Sequence, residues 1–167
     1  MESKYIIASV HAVQNVFKTM LKTDVAIGKP HLKQAGATSS GVSGIIGYTG
    51  SVRGSMVLCF PLDLATQLIE RFAGVALSAD HPDFADAIGE LVNMVAGGAK
   101  TRFNEPGVTI SCPSVVVGKE HRVFQRKDER SVAIPCSCSL GAFTIDIALQ
   151  ADKSPATDAC QTQIKVA

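Results

Sequence analysis

An acidic and an amide side chain stand three residues apart at Glu90 and Asn93, in a segment patterned like a long helix. A carboxylate can pair with a cation, and a carboxamide carries a hydrogen-bond acceptor and a donor on one short side chain. Because residues three apart lie on the same side of an α-helix, both groups can meet the same molecule. The spacing therefore indicates a polar site on the surface of a helix.

The helix that must position this pair is predicted over Asp83–Phe103, and Asn104, Pro106 and Gly107 stop it. Its apolar residues fall within about 80° of arc, and they are Phe84, Ile88, Leu91, Val95 and Ala99. A sector of about 60° on the opposite side holds Asp86, Glu90, Asn93 and Gly97. The buried and the functional faces of the helix are thus predicted to be opposite each other.

Two consecutive glycines, Gly97 and Gly98, interrupt this helix. Each costs about 1 kcal/mol of helix stability relative to alanine. An exposed glycine makes sense where the backbone of another molecule comes close. The competing interpretation is a solvated face with a Gly-Gly pair that packs against a second helix.

The remaining pattern predicts an α+β fold, in which hydrophobic periodicity and turn residues separate helices from strands. The predicted helices are Tyr5–Leu21 and Pro61–Phe72, the second ended by Gly74. The predicted strands are Val25–Gly28, Ser43–Thr49, Gly54–Phe60, Val108–Ser111, Val115–Val117, Ser131–Ser137 and Ala142–Leu149. The stretch Pro30–Ser40 is predicted to be a loop.

Internal similarity predicts that the fold is pseudo-duplicated. Val25–His31 resembles Val115–His121, and Gly54–Leu58 resembles Gly141–Ile145. The first helix has a matching apolar stripe made of Ile6, Val10, Val13 and Phe17. We therefore expect two helix–strand–hairpin units that form a β-sheet packed with two long helices and a connecting helix, although chance similarity of short apolar strings is the alternative. The places of Asp86, Glu90, Asn93 and Gly97 would be taken in the first helix by Ala8, Ala12, Asn15 and Thr19, so only the second half has the glutamate.

Length and composition predict one packed domain over residues 1–150, followed by a polar tail at 151–167 in which Gln163–Val166 could form a late strand. The chain has 167 residues, of which 46% are hydrophobic and 19% charged, with a net charge of +1. The most basic stretch, Lys119–Arg130, is interrupted by acids and is interpreted as a solvated loop, so nucleic acid is not expected as a partner. No signal peptide or long apolar span is visible, and a cytoplasmic protein without membrane contact is expected.

The five cysteines are interpreted as core or surface thiols, because no Cys-x-x-Cys occurs. A metal or redox role for Cys136 and Cys138, which would share a face of a strand, is the alternative. No metal site is predicted. The four histidines are expected on the surface or in loops, and they are His11, His31, His81 and His121.

The polar stripe resembles the signature of a known family. Asp86, Glu90 and Asn93 on the helix, followed by Pro113 in a Ser-Cys-Pro-Ser turn, resemble the motif of the CheC/CheX/FliY phosphatases, which act on the phosphorylated chemotaxis receiver CheY. The resemblance extends from the first helix to about Leu149. Because this sequence carries one complete motif, it is most similar to CheX, which implies a homodimer.

The resemblance implies a role for each residue. Asn93 would position the water that attacks the aspartyl phosphate, and Glu90 would pair with the lysine of the receiver. Asp86, Gly97 and Pro113 would belong to the partner-binding surface. No cofactor of the chain's own is implied, since Mg²⁺ is expected on the receiver. A non-enzymatic receiver-binding domain, or a scaffold like those of the flagellar switch, is the alternative.

Overall fold

The computed structural model describes residues 2–33, 39–123 and 130–152. Within those ranges the chain forms three helices, α1 (Ser3–Met20), α2 (Leu62–Ala73) and α3 (Pro82–Phe103). The same ranges hold eight strands: β1 (Ala26–Ile27), β2 (His31–Leu32), β3 (Ser39–Thr49), β4 (Val52–Phe60), β5 (Thr109–Ile110), β6 (Ser114–His121), β7 (Val132–Cys138) and β8 (Gly141–Ala151). The predicted α+β class is confirmed.

All strands pair antiparallel in one sheet, and β4 and β8 lie at its centre. Next to them lie β3 on one side and β7 on the other. The strands β5 and β6 both pair with β3, whereas β1 and β2 both pair with β7. The element order helix, two strands and hairpin thus occurs twice along the chain, and the duplication itself stays a prediction.

The two long helices lie together on one face of the sheet. Tyr5, at the start of α1, packs edge-on against Phe103, at the end of α3, with 5.2 Å between ring centroids. At the other end of α1, Phe17 stacks on Phe143 of β8 at 4.9 Å. The core that positions the site therefore lies between this helix pair and the central strands.

The ends of α3 follow from local chemistry. Pro82 occupies the first turn, where a missing N–H costs nothing, and the imidazole of His81 accepts a hydrogen bond from the Asp83 backbone N–H. Asn104 ends the helix in the left-handed conformation, with φ of 54°. Asparagine tolerates that conformation better than most residues. The predicted helix over Asp83–Phe103 is confirmed.

The expected register of the first helix is wrong. Ala8 and Ala12, predicted on its outer face, are buried, whereas Ile6 and Val10 are only partly buried. Small side chains let α1 approach α3 closely, so the alanines face the partner helix, and hydrophobic periodicity does not reveal that preference. Ala12 therefore does not correspond to the exposed Glu90. Since α1 contains no acidic residue, it cannot carry a second Glu-x-x-Asn pair in any register.

The segment predicted as the loop Pro30–Ser40 contains ordered strand at both ends. His31 pairs with Ala133 and Leu32 with Val132 of β7, and β3 already begins at Ser39. Short edge strands are held by backbone hydrogen bonds, and polar side chains in the sequence do not predict that pairing. The loop predicted at Lys119–Arg130 begins inside β6, which ends at His121. Residues 34–38, half of that predicted loop (residues 124–129) and the possible strand Gln163–Val166 lie outside the described residues.

Candidate functional site

Glu90 and Asn93 lie on the face of α3 that turns away from the sheet. Glu90 is exposed and Asn93 is partly exposed, while Leu91 and Val92 between them are buried. Asp86 is exposed one turn before Glu90. Within the part of the chain that the structure describes, the side chains of Glu90 and Asn93 have no hydrogen-bond or ion-pair partner. The fold therefore presents both side chains at the surface, and neither forms a described hydrogen bond or ion pair that stabilises it.

The two glycines of α3 have different surroundings. A Cβ placed on Gly98 would lie 3.4 Å from the Ala12 Cβ, so this glycine packs against α1. A Cβ placed on Gly97 would have no atom within 4 Å. Helix packing therefore explains Gly98, and nothing within the described fold requires a glycine at position 97.

Pro113 borders the same face of α3. A Cβ on Gly89 would lie 3.3 Å from Pro113 Cγ, so the proline ring seats on the helix where a side chain is missing. Residues four apart are neighbours on a helix, so the ring contacts α3 one turn before Asn93. The sequence analysis missed Gly89. The sequence feature that could have identified it is a glycine one turn before Asn93, the proposed catalytic residue.

Strand β3 fixes α3 from the side of the core. Gly44 makes room for Val92, since a Cβ there would lie 2.3 Å from Val92 Cγ2. The buried Tyr48 hydroxyl donates a hydrogen bond of 3.2 Å to the Ala96 carbonyl. Burial raises the pKa of Tyr48 well above its usual range, so the hydroxyl stays protonated as a donor. The helix that carries Asn93 is therefore held by packing and by one buried hydrogen bond.

Charge is distributed unevenly along α3. Asp83, Asp86 and Glu90 lie in its first half, and Lys100 and Arg102 lie in its last turn. This arrangement complements the helix dipole, which is a sufficient reason for Asp83. It also leaves an acidic surface next to Asn93, which would favour a cationic group of a partner.

The thiols show no sign of a metal centre. Among the described residues, no group of three or more histidine, cysteine or acidic side chains is placed to hold a metal ion. The described cysteines are free, and burial raises the pKa of the Cys136 thiol to about 12. One histidine differs from expectation: His121 lies in β6, partly buried, with its Nε2 2.7 Å from the Ser43 hydroxyl. No described helix is long and apolar enough to cross a membrane.

Comparison with known proteins assigns the family. The sequence pattern of the family described as Chemotaxis phosphatase CheX matches residues 42–137 of this chain. The chain is 26% identical over 126 residues to the CheY-P phosphatase CheX of Thermotoga maritima, an alignment that covers 74% of this chain and 81% of the relative. Among solved structures, it resembles the chemotaxis protein CheX of Desulfovibrio desulfuricans, with a TM-score of 0.79 and 28% identity over 87% of this chain and 99% of the other.

A third comparison extends the likeness of fold. The CheX–CheY–BeF₃–Mg²⁺ complex of Borrelia burgdorferi contains a chain with a TM-score of 0.72 and 23% identity, covering 87% of this chain and 97% of that one. The predicted resemblance is confirmed at the level of the family, and so is the expectation of a phosphatase, which is a hydrolase. The chain that presents Glu90 and Asn93 on α3 belongs to the chemotaxis phosphatase CheX family.

Proposed function

We propose that this chain hydrolyses the aspartyl phosphate of a CheY-type receiver domain, with Asn93 positioning water and Glu90 docking the receiver. The observation that carries the proposal is the pair of unpartnered polar side chains on one exposed face of α3. Membership of the CheX family supports the reaction, and the name of the Thermotoga maritima relative supports the substrate.

In the proposed reaction a water oxygen bonds to phosphorus while the bond from phosphorus to the aspartate oxygen breaks. The products are a free carboxylate and inorganic phosphate. The Asn93 carbonyl can accept a hydrogen bond from the water and hold it in line with the departing oxygen. Phosphoryl transfer depends mainly on such positioning and on charge stabilisation. The Mg²⁺ that neutralises the phosphoryl oxygens is expected on the receiver.

Glu90 would pair with the lysine of the receiver's active site. Three residues separate it from Asn93, which is about 4.5 Å along the helix axis, so docking at Glu90 would place the amide over the phosphoryl group. We assign Asp86, Gly97 and Pro113 to the partner-binding surface. Asp86 extends the acidic surface, Gly97 leaves space for the partner, and Pro113 borders it.

The test is the rate of phosphate release from phosphorylated receivers in the presence of wild-type protein or of Asn93→Ala. We expect the variant to lose at least about a hundredfold in rate, because it no longer positions the water. The matched control is Asn15→Ala, which removes an exposed asparagine from the other long helix. The melting temperature should stay nearly the same in both variants.

Two outcomes would contradict the proposal. A large fall in melting temperature for Asn93→Ala would show that the side chain is structural. Receiver binding by the wild type without any acceleration of phosphate release would favour the alternative, a receiver-binding or scaffold domain.

We also propose that the chain forms a homodimer, as in the CheX-like proteins that the sequence resembles. Strand β6 supports this proposal, since it pairs with β3 along one edge and exposes Val116 by 36% and Val117 by 42%. Light scattering after size-exclusion chromatography should give twice the mass of the chain. A monomeric mass at micromolar concentration would contradict it.

A further inference from the structure

Two glycines on opposite sides of α3 each contact a neighbouring element. Gly89 faces Pro113, whereas Gly98 faces Ala12 of α1. Nine residues correspond to about 180° around a helix, so these contacts lie on opposite sides of α3. The helix is therefore held between the turn that contains Pro113 and helix α1.

The turn that contains Pro113 is itself anchored to the sheet. The Ser111 backbone N–H donates to the Gly47 carbonyl at 2.9 Å, and the Gly47 N–H donates to the Ser111 hydroxyl at 2.9 Å. On the other side of the proline, Val115 pairs with Gly44 of β3. Both flanks of Pro113 are therefore tied to β3, which limits how far the ring can move away from α3.

A side chain at position 89 would have to move one of these neighbours. A separation of 3.3 Å to Pro113 Cγ is closer than most Cβ contacts in proteins, and Val115 Cγ2 is also near, at 3.8 Å. Since the turn is anchored, the helix is the element that would shift, and it would carry Asn93 with it.

We propose that Gly89 is a positioning residue of the phosphatase site: its missing side chain lets the Pro113 ring seat on α3 and fix the placement of Asn93. This inference rests on the proposed function. Gly89 is buried and contacts no substrate, so it acts through Pro113 and the helix. A shift of α3 would move Glu90 as well as Asn93, but the positioning of water tolerates less displacement than a charge contact, so substitution of Gly89 should affect turnover more than binding.

The test compares kcat and KM for Gly89→Ala, Pro113→Ala and the double variant with a phosphorylated receiver. We expect Gly89→Ala to lower kcat by about tenfold or more while KM changes by less than about twofold, because small displacements of a positioning group are costly. The double variant should lose no more kcat than the worse single variant, since both substitutions disturb one contact. Asn15→Ala is the control, because it changes an exposed residue of α1 outside the contact between Gly89 and Pro113.

Each outcome decides a point. A Gly89→Ala variant as active as the wild type, or losses of kcat in the two single variants that multiply in the double variant, would overturn the positioning role. If Gly89→Ala does not fold, Pro113→Ala alone must still lower kcat, and by a larger factor than any change in KM; failure to do so overturns the inference. If the wild type releases no phosphate from any receiver, the proposed function fails first, and the inference falls with it.

Discussion

At the scale of single residues, the proposed site consists of side chains that form no hydrogen bond or ion pair with the described residues. Glu90 has no partner among the described residues, and exposed charges of that kind contribute little to stability. Pairing with a cation on a partner would withdraw the Glu90 carboxylate from water and strengthen its electrostatic interaction. Its effect should therefore be found in binding and hardly at all in folding.

We expect Glu90→Gln to weaken receiver binding about tenfold, which corresponds to about 1.4 kcal/mol, and to reduce the salt dependence of binding. Titration of a phosphoryl-analogue-bound receiver at two salt concentrations measures both effects. Glu70→Gln, at an exposed position on α2, is the matched control and should bind like the wild type. Unchanged affinity in Glu90→Gln would remove the docking role.

At the scale of elements, α3 contains a glycine that lowers its helix stability and that its own packing does not require. The position of Gly97 has room for a side chain, and its φ is not in the left-handed region. Alanine is the better helix former there. Nothing in the described structure requires a glycine there, and we propose that the receiver does.

We expect Gly97→Ala to raise the free energy of unfolding by about 0.5–1 kcal/mol while weakening receiver binding. Chemical denaturation measures the first effect and receiver titration the second. Gly98→Ala is the comparison, because its Cβ would lie 3.4 Å from the Ala12 Cβ, against α1 and away from the proposed docking surface, and it should bind the receiver like the wild type. A stabilised Gly97→Ala variant that binds normally would show that the open surface has no role in docking.

At the scale of the whole molecule, a buried ion pair connects distant parts of the chain. Lys33, which follows β2, forms an ion pair with Asp146 of β8, and the two side chains are only 13% and 3% exposed. The thiol of Cys59 lies 3.9 Å from the same carboxylate, and this charge together with burial raises the pKa of Cys59. The cluster lies on the sheet far from Asn93 in sequence and serves stability in our interpretation.

We expect Lys33→Met to lower the free energy of unfolding by about 3 kcal/mol, because the variant leaves a buried carboxylate without its partner. Lys18→Met is the matched control, since Lys18 pairs with Asp24 at 3.7 Å with side chains 74% and 88% exposed. Its cost should stay below about 1 kcal/mol. Equal losses in the two variants, measured by urea denaturation, would contradict this account.

Local patterns alone were enough to predict most helices, the hairpins and the Glu90–Asn93 pair. Helix periodicity and stop signals depend on neighbours within one or two turns, so α3 and its polar face could be predicted from sequence. The register of α1 could not, because alanine is compatible with both a solvent face and a helix–helix contact. Strand β2 was also missed, since its pairing depends on the edge of β7, about a hundred residues later in the chain.

The sequence by itself therefore predicted which residues could carry chemistry, and it determined on which side of α3 they lie. Only the tertiary structure decided what each glycine does, because the difference between Gly89, Gly97 and Gly98 is the identity of the neighbour that a side chain would meet. Those neighbours belong to other elements, and packing brings them to α3. The placement of α3 between Pro113 and α1 is for this reason a property of the folded molecule.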